Sequence, residues 1–276
     1  MVVYGMDFTS APKRSKPITR ACCRMDAGRL LVENFEDLTS FDAFEQTLRQ
    51  PGPWVAGIDF PFGQSRKFVT NMRWPLSWNG YVGVVAGMPR DQFVRTLEAY
   101  KANRPRGDKE HRRVTDAEAG SISPQKLYGV PVGKMFFEGA PRLLRSPASI
   151  VPVRPLAEDR IVVEAYPALV ARRWTQGKGY KNDTKAKQSE EHRAARQRIV
   201  EGLGSSELRT SHGFALVVSD RDRAQVIDDP TGDQLDALLC AVQAGWCWLK
   251  RGEGYGIPKE VDLLEGWIVD PALVRP

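Results

Sequence analysis

The chain has 276 residues, of which 42% are hydrophobic and 27% charged, with a formal net charge of +6. That is the balance of an ordinary globular protein with enough apolar residues for a sizeable core, so neither disulfides nor a structural metal are required to support it. No apolar segment reaches the length of a bilayer span and no basic leader precedes the first strand, so a cytoplasmic protein with no membrane partner is expected.

Residues 2 to 8 read as a buried strand whose apolar run ends at Asp7. A polar loop follows, with Lys13, Arg14 and Lys16 marking an exposed surface. Residues 18 to 25 and 29 to 35 are two further strands, and Asp26-Ala27-Gly28 supplies hairpin chemistry between them. Ser40 reads as the N-cap of a helix carrying Phe41, Phe44 and Leu48, stopped by Pro51-Gly52-Pro53. A fourth strand, Trp54 to Asp59, again ends in an aspartate. The order β-β-β-α-β implies a mixed sheet with helices on its faces.

Residues 64 to about 158 break this rhythm and read as a mainly helical insertion in a single domain. Pro89-Arg90-Asp91 opens one helix and Met135 to Leu144 forms another. The basic stretch Arg104 to Arg113 is expected to be a mobile solvated loop that could contact nucleic acid. Trp74 and Trp78 could stack on unpaired bases, although a core position is the commoner fate of tryptophan.

Regular structure resumes in a strand from Arg160 to Glu164, the third to end in an acid. Residues 183 to 203 read as a long polar helix, and Phe214 to Val218 is too short to assign. The clearest helix follows: Thr231-Gly232-Asp233-Gln234 matches a capping box, and Leu235, Leu238, Leu239, Val242, Trp246 and Leu249 form an apolar stripe. The cysteines (adjacent Cys22 and Cys23, and Cys240 and Cys247) fit no metal pattern and are expected to be reduced and buried. His111, His192 and His212 lie in polar segments and are expected at the surface.

Asp7, Asp59 and Glu164 at strand ends, with Asp233 and Asp236 on the first turns of the last helix, form a candidate constellation. Ligands bind beyond the carboxyl ends of strands in open α/β sheets. Ionised groups at the edge of apolar strands are expensive unless paired, and a hard divalent cation, Mg²⁺ or Mn²⁺, would pair several at once. Asp233 also has a purely structural account, because a carboxylate at a helix N-terminus is stabilised by the dipole. No Ser-His-Asp or Cys-His arrangement competes.

The segments Gly5 to Pro12, Gly57 to Gly63, Glu164 to Ala168, Asp233 to Leu238 and Glu265 to Pro271 together resemble an uncharacterised family of predicted RNase H-like nucleases. Within the wider superfamily the chain is most similar to the Holliday-junction resolvase branch. The resemblance implies an RNase H-like α/β core, a mixed five-stranded sheet with helices on both faces, and metal-dependent hydrolysis of phosphodiester bonds in a nucleic acid. It assigns metal roles to Asp7, Asp59 and Asp236; of these Asp7 is expected to bridge, because the first strand is central in this topology. Glu164 matches the uncharacterised family's own pattern, and Asp233 stands where some resolvases carry a histidine. Two other readings are a non-catalytic RNase H-like scaffold that binds nucleic acid or protein, and an actin-like or sugar-kinase-like phosphotransferase. The latter lacks glycine-rich phosphate loops after Asp7 and any duplicated half.

Overall fold

A computed structural model describes residues 1–175, 177–182 and 184–274. Its first three strands, β1 (Val2–Asp7), β2 (Ile18–Asp26) and β3 (Arg29–Leu38), are antiparallel neighbours. The β2–β3 hairpin turns on Ala27 and Gly28, with φ of 46° and 71°, the left-handed backbone that a two-residue primed turn requires. In α1 (Phe41–Arg49) the Ser40 hydroxyl accepts the Ala43 N–H at 3.2 Å, as an N-cap does. The chain then enters β4 (Trp54–Ile58), parallel to β1.

Between β4 and β6 lie α2 (Arg66–Asn71), α3 (Trp78–Ala86), α4 (Arg90–Ala102), α5 (Val114–Ala119), α6 (Val132–Arg145) and β5 (Ser149–Val151). After β6 (Arg160–Glu164) come α7 (Pro167–Thr175), α8 (Glu190–Leu203), α9 (Ser206–His212), β7 (Ala215–Val217), α10 (Asp220–Asp228) and α11 (Asp233–Leu249).

The sheet order is β5-β6-β4-β1-β2-β3-β7, so the sheet has seven strands and not the expected five. The two additions, β5 and β7, are three residues each and sit at the edges, parallel to β6 and β3. Three residues are too few to carry an alternating pattern, so neither strand could be read locally.

Side chains alternate across the sheet and build two cores. Val3, Val55, Ile161 and Val163 pack in one core with residues of α7 to α11. Met6, Ala56, Ile58 and Val162 pack in the other with Phe68, Tyr81, Phe93 and Phe136. The helices read as an insertion therefore form the covering layer of one sheet face.

Several local expectations change in the folded chain. The basic stretch is pinned to the body: Arg104 bonds Asp108 at 2.6 Å and lies 4.1 Å from the Tyr100 ring centre, and His111 and Arg113 are buried. Arg106, Lys109 and Arg112 alone of its basic side chains remain exposed. His212 is also buried, which corrects the surface placement, and His192 is half-buried. Trp78 is buried with its indole N–H on the Phe62 carbonyl at 2.8 Å, and Trp74 packs edge-on to Phe68, so Trp78 is closed to bases. All four cysteines are free and buried. The polar helix begins at Glu190, where Ser189 caps it, rather than at residue 183, which lies outside the described residues.

The capping box at the start of α11 does not form. Gly232 is the N-cap, with φ 73°, and makes no side-chain cap. Asp229 caps instead, accepting from the Gln234 N–H at 3.2 Å and from the Thr231 hydroxyl at 2.7 Å. The helix is buried almost all round, as one threaded between a sheet and an outer helical layer must be.

Candidate functional site

The site is set by how closely α11 approaches the two central parallel strands. Gly5 and Gly57 are register partners on β1 and β4. A Cβ on Gly5 would lie 1.9 Å from the Ala237 carbonyl oxygen, and one on Gly57 would lie 2.4 Å from that of Cys240. Only glycine permits backbone contact this close. The facing residues on α11, Ala237, Cys240, Ala241 and Ala244, are small for the same reason. The large residues of the apolar stripe fill the space elsewhere around the helix.

Because side chains alternate along a strand, Asp7 and Asp59 project to the same side as Gly5 and Gly57, toward α11. Asp236, one residue before Ala237, is delivered to them by the helix. The Asp236 charge acts on both strand aspartates. Burial pushes the Asp7 carboxyl well above the usual carboxylate range, opposed by Lys181 and reinforced by Asp236, Asp233 and Asp59. Burial likewise raises Asp59 to about 7, with Asp236 adding to the rise. Asp233, at the rim, is raised by burial and opposed by Lys181.

Neither Asp7 nor Asp59 has a side-chain hydrogen-bond partner among the described residues. Unpaired carboxylates in a poorly solvated place are costly and ask for a cation or a donor. Asp236, by contrast, is satisfied. It accepts from the Tyr180 hydroxyl at 2.6 Å through one oxygen and from the Lys181 ammonium through the other. Burial works against the Lys181 charge, but Asp236 and Asp7 outweigh it, so the ammonium is held firmly protonated. One lysine thus serves four aspartates.

Tyr180 and Lys181 are the functional residues that the sequence did not reveal. They lie in Gly177-Lys178-Gly179-Tyr180-Lys181, which has neither periodicity nor a recognisable motif. The buried Arg196 of α8 fixes this segment by donating to the Tyr180 carbonyl at 2.9 Å. Gly232 makes room for Lys181, whose side chain would lie 3.0 Å from a Cβ there.

Glu164 is placed differently. It is the register partner of Ile58, so its side chain leaves the opposite face of the sheet from Asp7 and Asp59. There Arg113 binds it through two nitrogens, and the Phe62 N–H adds a third bond at 2.9 Å. Arg113 also binds Asp116 and the Glu265 carbonyl, so all five of its N–H groups are used. Burial raises the Glu164 carboxyl, and Arg113 opposes that rise. The structure thus gives Glu164 a partner of its own, one that ties the α5 segment and residue 265 to β6.

A family model described as "Protein of unknown function (DUF429)" matches residues 5–262. The chain belongs to that family. The matched span takes in Asp7, Asp59, Glu164, Lys181, Asp233 and Asp236, the whole of the site as folded. No curated protein and no solved structure matches the chain.

The donor set suits a hard divalent cation in its chemistry: carboxylate oxygens, two of them without partners. Among the described residues, however, no group of three or more His, Cys, Asp or Glu side chains is gathered as metal ligands. Lys181 brings positive charge to the site through its bond to Asp236.

Proposed function

We propose that this protein is a metal-dependent nuclease built on an RNase H-like core, with Asp7, Asp59 and Asp236 as its central acids. One observation carries the reading. Carboxylates from β1, from the end of β4 and from α11 converge beyond the carboxyl ends of the central strands, and two of them lack partners. The placement of β1 at the middle of the sheet, antiparallel to β2 and parallel to β4, supports the RNase H-like assignment.

Mg²⁺ or Mn²⁺ bound here would supply Lewis-acid activation of water and charge stabilisation at the leaving oxygen. Asp7, Asp59 and Asp236 are the residues that would hold the ion. With the ion bound, Lys181 would be freed from Asp236, and its ammonium would meet a phosphate oxygen as a point charge. The Tyr180 hydroxyl stays on the other Asp236 oxygen and keeps that carboxylate aimed. Asp233 sits at the rim, where its charge adds to the demand for a cation. Glu164 supports the architecture through Arg113. The exposed Lys13 and Arg14 on the loop after β1 would grip backbone phosphates without reading sequence.

The test is incubation of the wild type, Asp7→Asn and Asp236→Asn with labelled DNA, RNA, hybrid and branched junction in Mn²⁺. Cleavage by the wild type that both variants lose is the expected result. Equal cleavage by the variants, or none on any substrate, overturns the reading. In the latter case a non-catalytic nucleic-acid-binding scaffold takes its place if binding persists in chelator.

A further inference from the structure

A cavity of about 340 Å³ opens beside the acidic site, and Asp59 belongs to its lining. The α5–α6 region contributes Ile122, Val132 and Met135 to the lining, which also includes Phe60 and Tyr166. Its lining carries exposed apolar side chains, Ile122 at 38% and Val130 at 52% exposure, and the Lys126 side chain, whose ammonium lies 5.0 Å from the Tyr128 ring centre. A mainly apolar hollow of this size with a few fixed polar groups has the character of a ligand site.

The polar groups narrow the choice of ligand. Arg113 also lines the cavity, but its five N–H groups are all spent on Asp116, Glu164 and the Glu265 carbonyl. The interior therefore has no spare guanidinium donor for a phosphate or carboxylate. It does have acceptors: the unpartnered Asp59 carboxylate, and the Glu164 oxygen that takes only one bond, from Arg113. The occupant that fits is a flat, uncharged ring bearing N–H donors, with its anionic attachment left outside near Lys126.

We infer that this cavity receives an unpaired nucleobase of the substrate, next to the phosphodiester presented to Asp7, Asp59 and Asp236. This rests on the nuclease reading and adds to it a substrate class: nucleic acid with at least one unstacked base, as in single strands or branch points, rather than continuous duplex. The base stacks against Tyr166, with the buried Phe60 ring as floor, and its N–H groups point to Asp59 and Glu164. Because Asp59 borders both spaces, the strand leaving the cavity passes directly over the acids.

The experiment measures binding, with Ca²⁺ in place of Mn²⁺, of a fluorescein-labelled single-stranded oligonucleotide, the same strand made abasic, and the matched duplex. The abasic strand keeps the phosphates and lacks the bases. The wild type should bind the base-containing strand roughly tenfold tighter than the abasic one, in line with one base stacked. Ile122→Ala with Val130→Ala, a change at exposed positions that leaves the fold intact, should cut that ratio several-fold. Met135→Trp, which fills the cavity, should bring it to one. Abasic binding and Mn²⁺ affinity should stay at wild-type values in both variants. Equal wild-type binding of the abasic and base-containing strands overturns the base site and leaves the nuclease reading standing, as does an unchanged ratio in both variants. Failure to bind any of the three overturns both.

Discussion

Gly5 and Gly57 lie side by side across the β1–β4 ladder, and each touches the backbone of α11. Two residues after each comes an aspartate on the same side of the sheet. The pair of glycines thus fixes the distance between the strand acids and Asp236.

Adding a methyl group at either glycine should push the helix away. Gly5→Ala places a Cβ against both the Ala237 carbonyl and the Ala241 nitrogen, backbone atoms that cannot turn aside. Overpacking of this kind costs roughly 1–3 kcal/mol or more. Urea unfolding should show that loss, and Mn²⁺ titration of the folded fraction should show weakened binding. Wild-type Mn²⁺ affinity in a destabilised Gly5→Ala would separate helix seating from the site.

Lys181 neutralises aspartates that would otherwise repel one another. Lys181→Met should destabilise the metal-free protein by about 1–3 kcal/mol, the cost of leaving one oxygen of a buried carboxylate without its donor. The same change should tighten Mn²⁺ binding, because the ion no longer competes with an ammonium for Asp236. Calorimetric titration and Tm with and without Mn²⁺ measure both effects. A variant with weaker Mn²⁺ binding than the wild type would mean that Lys181 organises the site rather than occupying it.

Asp59 gives the site a pH signature. Burial raises its carboxyl from 3.8 to about 7, so the folded chain holds that proton more tightly than the unfolded chain does. The stabilisation is present at low pH and drains away as pH climbs from about 4 to about 7. In metal-free protein, Asp59→Asn should therefore gain Tm over the wild type progressively across that window. His212, lowered from 6.5 to about 3 by burial, acts with the opposite sign, its contribution being lost as pH falls. It is common to both proteins and cancels, so the Tm difference reports Asp59 together with its effect on the neighbouring Asp7 carboxyl. A difference that stays flat with pH would contradict the burial of that carboxyl.

Arg113 should matter to the fold and Glu164 should not matter to the cation. Arg113→Met strands the Asp116 and Glu164 carboxylates in the interior and should cost about 3–5 kcal/mol. Adding Glu164→Gln should recover part of that loss in chemical denaturation. Glu164→Gln alone should leave Mn²⁺ affinity within about twofold of the wild type on the geometry of the opposite sheet face. A tenfold loss would return Glu164 to the ligand set.

Much of this architecture is written locally in the chain. The five central strands, the Ala27-Gly28 turn, the Ser40 cap and the helix bearing Asp233 and Asp236 each carry their own period or cap, so neighbouring residues suffice to read them. The acids at strand ends were visible for the same reason. Pairings between distant segments were decided only by tertiary structure. Nothing near Glu164 says that it is in phase with Ile58 rather than with Gly57, because facing depends on the register between strands about a hundred residues apart. Nothing near Lys181 or Arg113 says which carboxylate each will meet, since a long charged side chain looks alike in solvent and in a buried pair until its partner is placed. Periodicity encodes which way a residue points relative to its neighbours along the chain, and a site is made by what lies across from it.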